Sequence, residues 1–155
     1  MSKIQVTNIN DLSDNAALVT QNGGIKTDKL TGKTTAGSIL VTGEGNSTTT
    51  SLQQGLAKAW INFDGNSPYA RTSLNVSSTV DNAAGNFTIN WSNSFSTSEY
   101  SNAGGAGGNT GSISSSMTSV RGYSWTTSLL KIAVLYSGGA TDYNTITTNV
   151  FGDLA

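Results

Sequence analysis

Acid–base chemistry in this sequence would have to come from carboxylates. The chain of 155 residues has no histidine and no cysteine, which excludes Ser–His and Cys–His dyads, imidazole or thiolate metal sites and disulfides. A glycosidase needs two acids that face each other, and no spacing in the sequence nominates such a pair. We therefore expect no catalytic residue, no metal, no cofactor and no enzyme activity. The nine carboxylates are Asp11, Asp14, Asp28, Glu44, Asp64, Asp81, Glu99, Asp142 and Asp153.

Two glycine-containing stretches resemble phosphate-binding loops only in part. Gly32-Lys33-Thr34 ends like a P-loop, but the position five before Gly32 is Thr27 and no apolar strand leads in. The run Gly104–Gly111 never has the G-x-G-x-x-G register and opens no helix. We expect this run to be a flexible loop tip, with a binding loop as the less favoured alternative.

One set of apolar residues is a candidate for contact between copies of the chain. Trp60 is out of phase with Ile61 and Phe63, so it should face away from the core side of its strand. A large apolar side chain in that position is exposed, covered by another segment, or buried against another copy. The full list of candidate contact residues is Leu52, Leu56, Trp60, Leu129 and Leu135.

A second group of residues is a candidate for recognition of a glycan on a surface. Tyr123 and Trp125 lie beside Arg121 in a stretch with a loop-like pattern. Aromatic side chains in such a loop could stack on sugar rings. The alternative is that they pack at one end of the folded domain.

Composition points to turn-rich β structure. Only 11% of residues are charged, against about 25% in average proteins, and Ser, Thr, Asn and 18 Gly make up the difference. A net charge of −1, with scattered Lys and Arg, gives no basic footprint for nucleic acid. No apolar run approaches the roughly 20 residues that span a membrane, and the start MSKIQV, without a signal-peptide layout, indicates synthesis in the cytoplasm.

Apolar periodicity predicts a β domain over residues 57–155, an antiparallel sandwich or jelly-roll-like fold. A strand over Arg71–Val80, a turn at Asp81–Gly85 and a returning strand form its clearest hairpin. Further strands are expected at Ala57–Phe63, Thr97–Asn102, Ile113–Val120, Ser128–Tyr136 (apolar on both faces) and Asn144–Phe151. The predicted core is Ile61, Phe63, Val76, Phe87, Ile89, Trp91, Ile132 and Val134.

The region before this domain has too few apolar residues for a core of its own. We expect residues 1–50 to be an extended arm, with strands at Lys3–Ile9 and Ser38–Thr42 and a linker at Gly43–Ser51, ordered by docking onto a partner. Residues 51–56 form a short helical junction in this prediction, because Leu52 and Leu56 are four apart and Ser51 or Thr50 can serve as N-cap.

Three segments carry a family resemblance: Gly55–Gly65 (GLAKAWINFDG), Arg71–Trp91 (RTSLNVSSTVDNAAGNFTINW) and Asn149–Asp153 (NVFGD). They resemble the small C-terminal β domain of tail-fibre and virion structural proteins of marine bacteriophages. Residues Ile25–Gln54 resemble the lead-in that accompanies this domain in that group. The resemblance implies a phage particle and a trimeric, strand-rich module, and it implies no reaction.

We therefore expect a non-enzymatic virion structural protein, made in the host cytoplasm and exposed on the assembled particle. As a homotrimeric module of a head or tail fibre, it would bind other virion proteins through the arm and could contact the host surface. The alternative is a capsid decoration protein that clamps shell subunits. Copy number per particle separates these two hypotheses.

Overall fold

The computed structural model describes residues 28–32, 38–42, 48–108, 118–136 and 139–155. The chain divides into Met1–Thr31 and Gly32–Ala155, and the architecture below belongs to the second unit. The predicted strand Lys3–Ile9 lies outside the described residues. The elements are β1 (Leu40–Thr42), β2 (Thr49–Ser51), α1 (Leu52–Gly55), β3 (Ala59–Phe63), β4 (Ala70–Leu74), β5 (Val76–Ala83), β6 (Asn86–Trp91), β7 (Ser101–Gly107), β8 (Thr118–Trp125), β9 (Leu129–Tyr136), β10 (Gly139–Ala140) and β11 (Thr145–Phe151).

Two antiparallel sheets form a β-sandwich, which confirms the predicted fold class. The front sheet has the strand order β4-β3-β11-β7, and the back sheet has the order β5-β6-β9-β8. The short β10 pairs with the end of β9. A separate two-stranded hairpin, β1–β2, precedes the sandwich and leads into α1. The helix α1 has four residues, so no described helix is long enough to cross a membrane.

The core lies between the inward faces of four strands, β3 and β11 in front and β6 and β9 behind. The rings of Phe63 and Phe87 meet edge to face between the two sheets, with their centroids 5.1 Å apart. Every predicted core residue is buried except Val76, which is only partly buried against the core. The buried apolar residues are Ala59, Ile61, Phe63, Phe87, Ile89, Trp91, Phe95, Tyr100, Leu130, Ile132, Val134, Ile146 and Val150.

The prediction of one continuous strand over Arg71–Val80 was wrong. The chain breaks at Asn75, whose φ of 57° passes it from β4 in the front sheet to β5 in the back sheet. Asparagine tolerates this left-handed conformation better than most residues. Its side chain also accepts from the Asn93 backbone N–H at 2.7 Å and donates to the Asn93 carbonyl at 3.0 Å. Leu74, before the break, is exposed on β4, and Val80 is exposed because a register shift between Val76 and Ser78 changes the phase of β5.

The hairpin after this break is present, with a tighter turn than expected. The strands β5 and β6 extend through Ala83 and Asn86, so the connection is the two residues Ala84 and Gly85 rather than Asp81–Gly85. Gly85 has a φ of 66° and its carbonyl accepts from the Val134 N–H, so the turn is tied to β9.

The glycine-rich run is a strand in its first half, which corrects the prediction of a loop tip. Ser101–Gly107 forms β7, the edge of the front sheet, and pairs along its length with β11. A Cβ on Gly104 would lie 2.4 Å from the Thr147 carbonyl oxygen and 3.1 Å from a Val120 methyl carbon of β8. A side chain at this position would collide with the backbone of the paired strand β11 and would also crowd Val120 on the edge of the other sheet, so glycine fits where larger residues would not. Gly108 is the last described residue of the run before position 118.

Two other predicted boundaries shift. Part of the predicted linker pairs as a strand, since Thr49–Ser51 is hydrogen-bonded to Leu40–Thr42. The predicted strand Ile113–Val120 is described only from Thr118, where β8 begins. The predicted strands Ser128–Tyr136 and Asn144–Phe151 are present as β9 and β11, each paired on both sides.

A matched pair of substitutions tests the role of Gly104. Gly104→Ala should lower the free energy of unfolding by about 1–3 kcal/mol, as overpacking does, because the added methyl meets backbone. Gly105→Ala is the control, since its Cβ would have no neighbour closer than 4.0 Å. Equal urea-denaturation midpoints for the two variants would contradict close approach at Gly104.

Removal of the largest core side chain tests the sandwich core. Trp91 packs edge to face on Phe95 and Tyr100, with ring centroids 5.6 and 6.2 Å away. Trp91→Ala should therefore cost about 3–5 kcal/mol in urea or guanidinium unfolding, as large core truncations do. A loss below about 1 kcal/mol would mean that the indole is not part of a packed core.

Candidate interaction surfaces

The described carboxylates that make contacts are hydrogen-bond acceptors at loops and element ends. Asp64 pairs with Arg71 at 2.9 Å. Asp142 accepts from the Gly85 N–H at 2.6 Å, and Asp153 accepts from the Gln54 side chain at 2.6 Å. Among the residues that the structure describes, no three acidic side chains converge as a metal site would require. The candidate sites described below are two regions of the surface.

The residues predicted to join copies lie in three separate places. Trp60 is on the outward face of the front sheet, because its neighbours Ala59 and Ile61 point into the core. Leu129 and Leu135 are half-buried on the outward face of the back sheet, between the buried positions of β9. Leu52 and Leu56 lie at α1, before the sandwich begins. They do not form one continuous patch on a single copy.

The first surface is the Trp60 face, which we define as Trp60, Leu74, Phe151, Asn149 and Ala103. The strand register places four of these residues in one row across the front sheet: Leu74 of β4, Trp60 of β3, Asn149 of β11 and Ala103 of β7. Phe151 follows Asn149 two residues on, on the same side of β11. Trp60 is half-buried, whereas Leu74, Phe151, Asn149 and Ala103 are exposed.

The five residues that define the Trp60 face are all uncharged. In the next row, Asn62 is opposite Thr72 on one side and Thr147 on the other, and Thr147 pairs with Gly105. Small residues of β7 leave no large side chain at this edge. The Asn62 side-chain oxygen is buried without a hydrogen-bond partner. An aromatic and aliphatic centre ringed by amides and hydroxyls is the composition of a protein–protein contact with a polar rim.

The second surface is the junction groove, an apolar depression of about 240 Å³ between the β1–β2 hairpin and α1. Its side chains are held by the elements around it. Ser51 is the N-cap of α1, and the Leu52 N–H donates to the Ile39 carbonyl at 2.8 Å, which continues the hairpin ladder into the helix. The residues lining the junction groove are Val41, Thr50, Ser51, Leu52, Gly55 and Leu56.

The side chains of Lys58 and Gln54 make three hydrogen bonds that hold α1 beside the sandwich. The Lys58 ammonium donates to the Gln53 carbonyl and, at 3.1 Å, to the Leu56 carbonyl. The Gln53 carbonyl also accepts from the Leu56 N–H at 3.3 Å, and a cation is favourable near the carbonyls at the C-terminus of a helix. The Gln54 amide donates to Asp153 near the end of the chain. The junction groove therefore has a defined position beside the sandwich.

The expected glycan-recognition residues do not form a shared platform. Arg121, Tyr123 and Trp125 lie in β8, so the prediction of a loop there was wrong. Arg121 pairs with Ala133 and points outward, whereas Trp125 pairs with the buried Leu130 on the opposite side of the strand. The ladder shifts register between Gly122 and Ser124, which leaves Tyr123 in a bulge.

The Trp125 indole packs against its own strand. A Cβ on Gly122 would lie 2.5 Å from the Trp125 ring, so the ring lies over the space that glycine leaves. Trp125 is partly exposed there. A glycine three residues before a tryptophan in a strand is a weak signal for this arrangement, and sequence reasoning missed it. Tyr123 and Trp125 nevertheless remain 49% and 39% exposed.

Sequence reasoning also missed Tyr100, which connects three parts of the sandwich. Its hydroxyl donates to the Leu129 carbonyl at 2.7 Å or the Thr126 carbonyl at 3.1 Å, and the Trp91 indole N–H lies 3.4 Å from its oxygen. The ring stacks on Phe95 with centroids 4.4 Å apart. Burial raises the pKa of Tyr100 above its ordinary value of 10.0, and the hydrogen bonds from Trp91 and to Thr126 oppose this in part.

The raised pKa of Tyr100 predicts a loss of stability in alkali. Tyr100 of the unfolded chain ionises near pH 10, whereas the folded state keeps the proton. Its contribution to the free energy of unfolding is thus complete below pH 10 and falls as pH rises through the pKa of the folded state. Tyr100→Phe should be less stable at pH 7 by about 1–3 kcal/mol, because the hydrogen bond from the Tyr100 hydroxyl to the Leu129 or Thr126 carbonyl is lost. Its stability should also decline less than the parent's between pH 9 and 11.

Chemical denaturation at each pH measures this effect, with Tyr69→Phe as the control. Tyr69 is 58% exposed, so its hydroxyl should matter little at either pH. Parallel alkaline declines for the parent and Tyr100→Phe would contradict the assignment to Tyr100.

Comparison with known proteins adds no relative to this picture: no family model, no curated protein and no solved structure matches the chain.

Proposed function

We propose that this chain is a non-enzymatic structural protein of a bacteriophage particle, a homotrimeric fibre or knob module exposed on the particle surface. The resemblance of Gly55–Gly65, Arg71–Trp91 and Asn149–Asp153 to marine phage virion domains supports the phage assignment. In this proposal the segment before the sandwich binds other virion proteins on the head or tail, and the sandwich faces outward toward the host.

The observation that carries the proposal of self-association is the Trp60 face. A half-buried tryptophan lies there between exposed Leu74 and Phe151 on the outside of a sheet. Tryptophan is among the residues that contribute most to binding at protein interfaces, especially when water is excluded around it. The low charge of the chain removes the repulsion that keeps many small domains apart, since only 11% of residues are charged.

A closed ring of three copies suits the separation of the candidate residues. In a heterologous contact, one patch of each copy meets a different patch of the next, and rotation closes the ring. Trp60 and the Leu129–Leu135 pair lie on the outward faces of opposite sheets. Such a ring can bury both sets of residues, although neither set touches the other within one copy.

Substitution of Trp60 tests the trimer. Trp60→Ala should weaken assembly by about 2 kcal/mol or more, as loss of a buried aromatic anchor does, and should leave the β-sheet circular dichroism unchanged. Light scattering coupled to size exclusion at micromolar concentration measures the mass of the parent and the variant. Tyr69→Ala is the matched control, because Tyr69 is an exposed aromatic residue outside the Trp60 face.

The mass of the parent decides the trimer proposal. A parent that is monomeric at micromolar concentration, free of the particle, would overturn it. A trimeric parent whose mass is equally unaffected by Trp60→Ala and Tyr69→Ala would keep the trimer and remove the Trp60 face from its contact. A cryo-EM reconstruction of the particle then separates a fibre module from a protein that decorates the shell, through its position and copy number.

A further inference from the structure

We infer that the C-terminal segment, residues 152–155, fixes the direction in which the hairpin–helix segment leaves the sandwich. The hairpin–helix segment is the β1–β2 hairpin together with α1, and the contact that holds it joins Gln54 to Asp153. When this contact opens, the segment turns about residues 55–57 while the sandwich stays folded. Both partners belong to one copy of the chain, so the contact depends neither on the proposed trimer nor on the phage assignment.

The hairpin–helix segment is a hydrogen-bonded unit. The Leu52 N–H donates to the Ile39 carbonyl at 2.8 Å, so the first residue of α1 is bonded to the chain just before β1. Ser51 is both the last residue of β2 and the N-cap of α1. The hairpin forms its own two-stranded sheet and shares no ladder with either sheet of the sandwich. Strand pairing therefore does not set the orientation of the segment relative to the sandwich, which makes the contacts of α1 important.

Residues 55–57 lie between the end of α1 and the fixed start of the sandwich. At Gly55 an added Cβ would meet no atom within 4 Å, so the backbone there is not packed against a neighbour. From Lys58 onward the chain is fixed, since the Lys58 N–H donates to the Val150 carbonyl at 2.8 Å. The Lys58 ammonium also donates to two carbonyls near the end of α1. One attachment beside a pivot leaves rotation about it possible, and a second attachment removes that freedom.

Gln54 supplies the second attachment. Its side-chain amide nitrogen donates to the Asp153 carboxylate at 2.6 Å, across 99 positions of the sequence. Gln54 is the third residue of α1 after the N-cap Ser51, a position from which a Gln side chain commonly turns back to the N-cap backbone. Here its amide bonds the sandwich. A hydrogen bond to an ionised acceptor is stronger than one between neutral groups, so this contact can hold α1 in place.

Asp153 is itself anchored on the aromatic end of the core. Its carbonyl accepts from the Ser96 N–H at 2.8 Å and from the Ser96 hydroxyl at 3.1 Å. The preceding residue, Gly152, lies against the core, because a Cβ there would be 2.7 Å from the Tyr100 Cβ and 3.2 Å from the Phe95 ring. Tyr100 and Phe95 are both buried. The C-terminal segment therefore connects α1 to the packed interior of the sandwich.

Distances between two spin labels, measured by pulsed electron paramagnetic resonance on the full chain, test this contact. The chain has no cysteine, so Thr42→Cys in the hairpin and Tyr69→Cys in the sandwich provide the only labelling sites. Labelled chains are diluted with excess unlabelled parent, so that only distances within one copy are measured. The parent should give one narrow distance distribution. Gln54→Glu places two carboxylates opposite each other and should broaden the distribution about twofold or more.

Gln54→Lys is the matched control, because its ammonium can pair with Asp153 and because Gln, Glu and Lys have similar helix propensities. It should keep the narrow distribution, and the reversed pair Gln54→Glu with Asp153→Lys should restore it. Circular dichroism checks that the sandwich is folded in each variant. A parent with a broad distribution, equal widths in the parent and Gln54→Glu, or equal broadening by Gln54→Glu and Gln54→Lys would each overturn the inference.

Discussion

The edge-to-face contact between Phe63 and Phe87 is the interaction on which the rest of the structure depends. It joins β3 of the front sheet to β6 of the back sheet, with the ring centroids 5.1 Å apart. Ile61, Ile89, Ile132 and Ile146 are buried in the same core. Because side chains alternate along a strand, a core residue on β3 or β9 fixes the direction of every neighbour on that strand. The outward position of Trp60 follows from the inward positions of Ile61 and Phe63.

At its edges, the sandwich depends on residues that allow a particular backbone conformation or a close backbone approach, rather than on apolar burial. On one side, Asn75 passes the chain between sheets with a positive φ and hydrogen-bonds Asn93. On the other side, Gly104 lets β7 approach β8. Tyr100 bridges to the β8–β9 connection through backbone carbonyls. A chain rich in Gly, Asn and Ser can form such connections. Asn and Ser side chains hydrogen-bond to the backbone, and Gly leaves room for another strand to approach.

The Trp60 face and the β1–β2 hairpin belong to parts of the molecule that differ in how much apolar surface they bury. The Trp60 face lies on a sandwich that has its own core, so a partner there adds affinity without being required for folding. The β1–β2 hairpin, by contrast, has no fully buried residue.

Alternation of apolar residues, which is a local property of a strand, was enough to predict the all-β fold class, the strands β3, β6, β9 and β11, and seven of the 13 buried apolar residues among those described. The sequence also narrowed the N-cap of α1 to Thr50 or Ser51, of which the structure uses Ser51, and it predicted the outward direction of Trp60. Three features are visible only in the tertiary structure. Arg71–Val80 crosses between sheets at Asn75, the first half of the glycine run pairs as β7, and the Trp125 ring covers Gly122. These depend on which backbone approaches from elsewhere in the chain. The grouping of surface residues depends on the same information, since cross-strand register joins Leu74, Trp60 and Asn149 from three distant parts of the sequence.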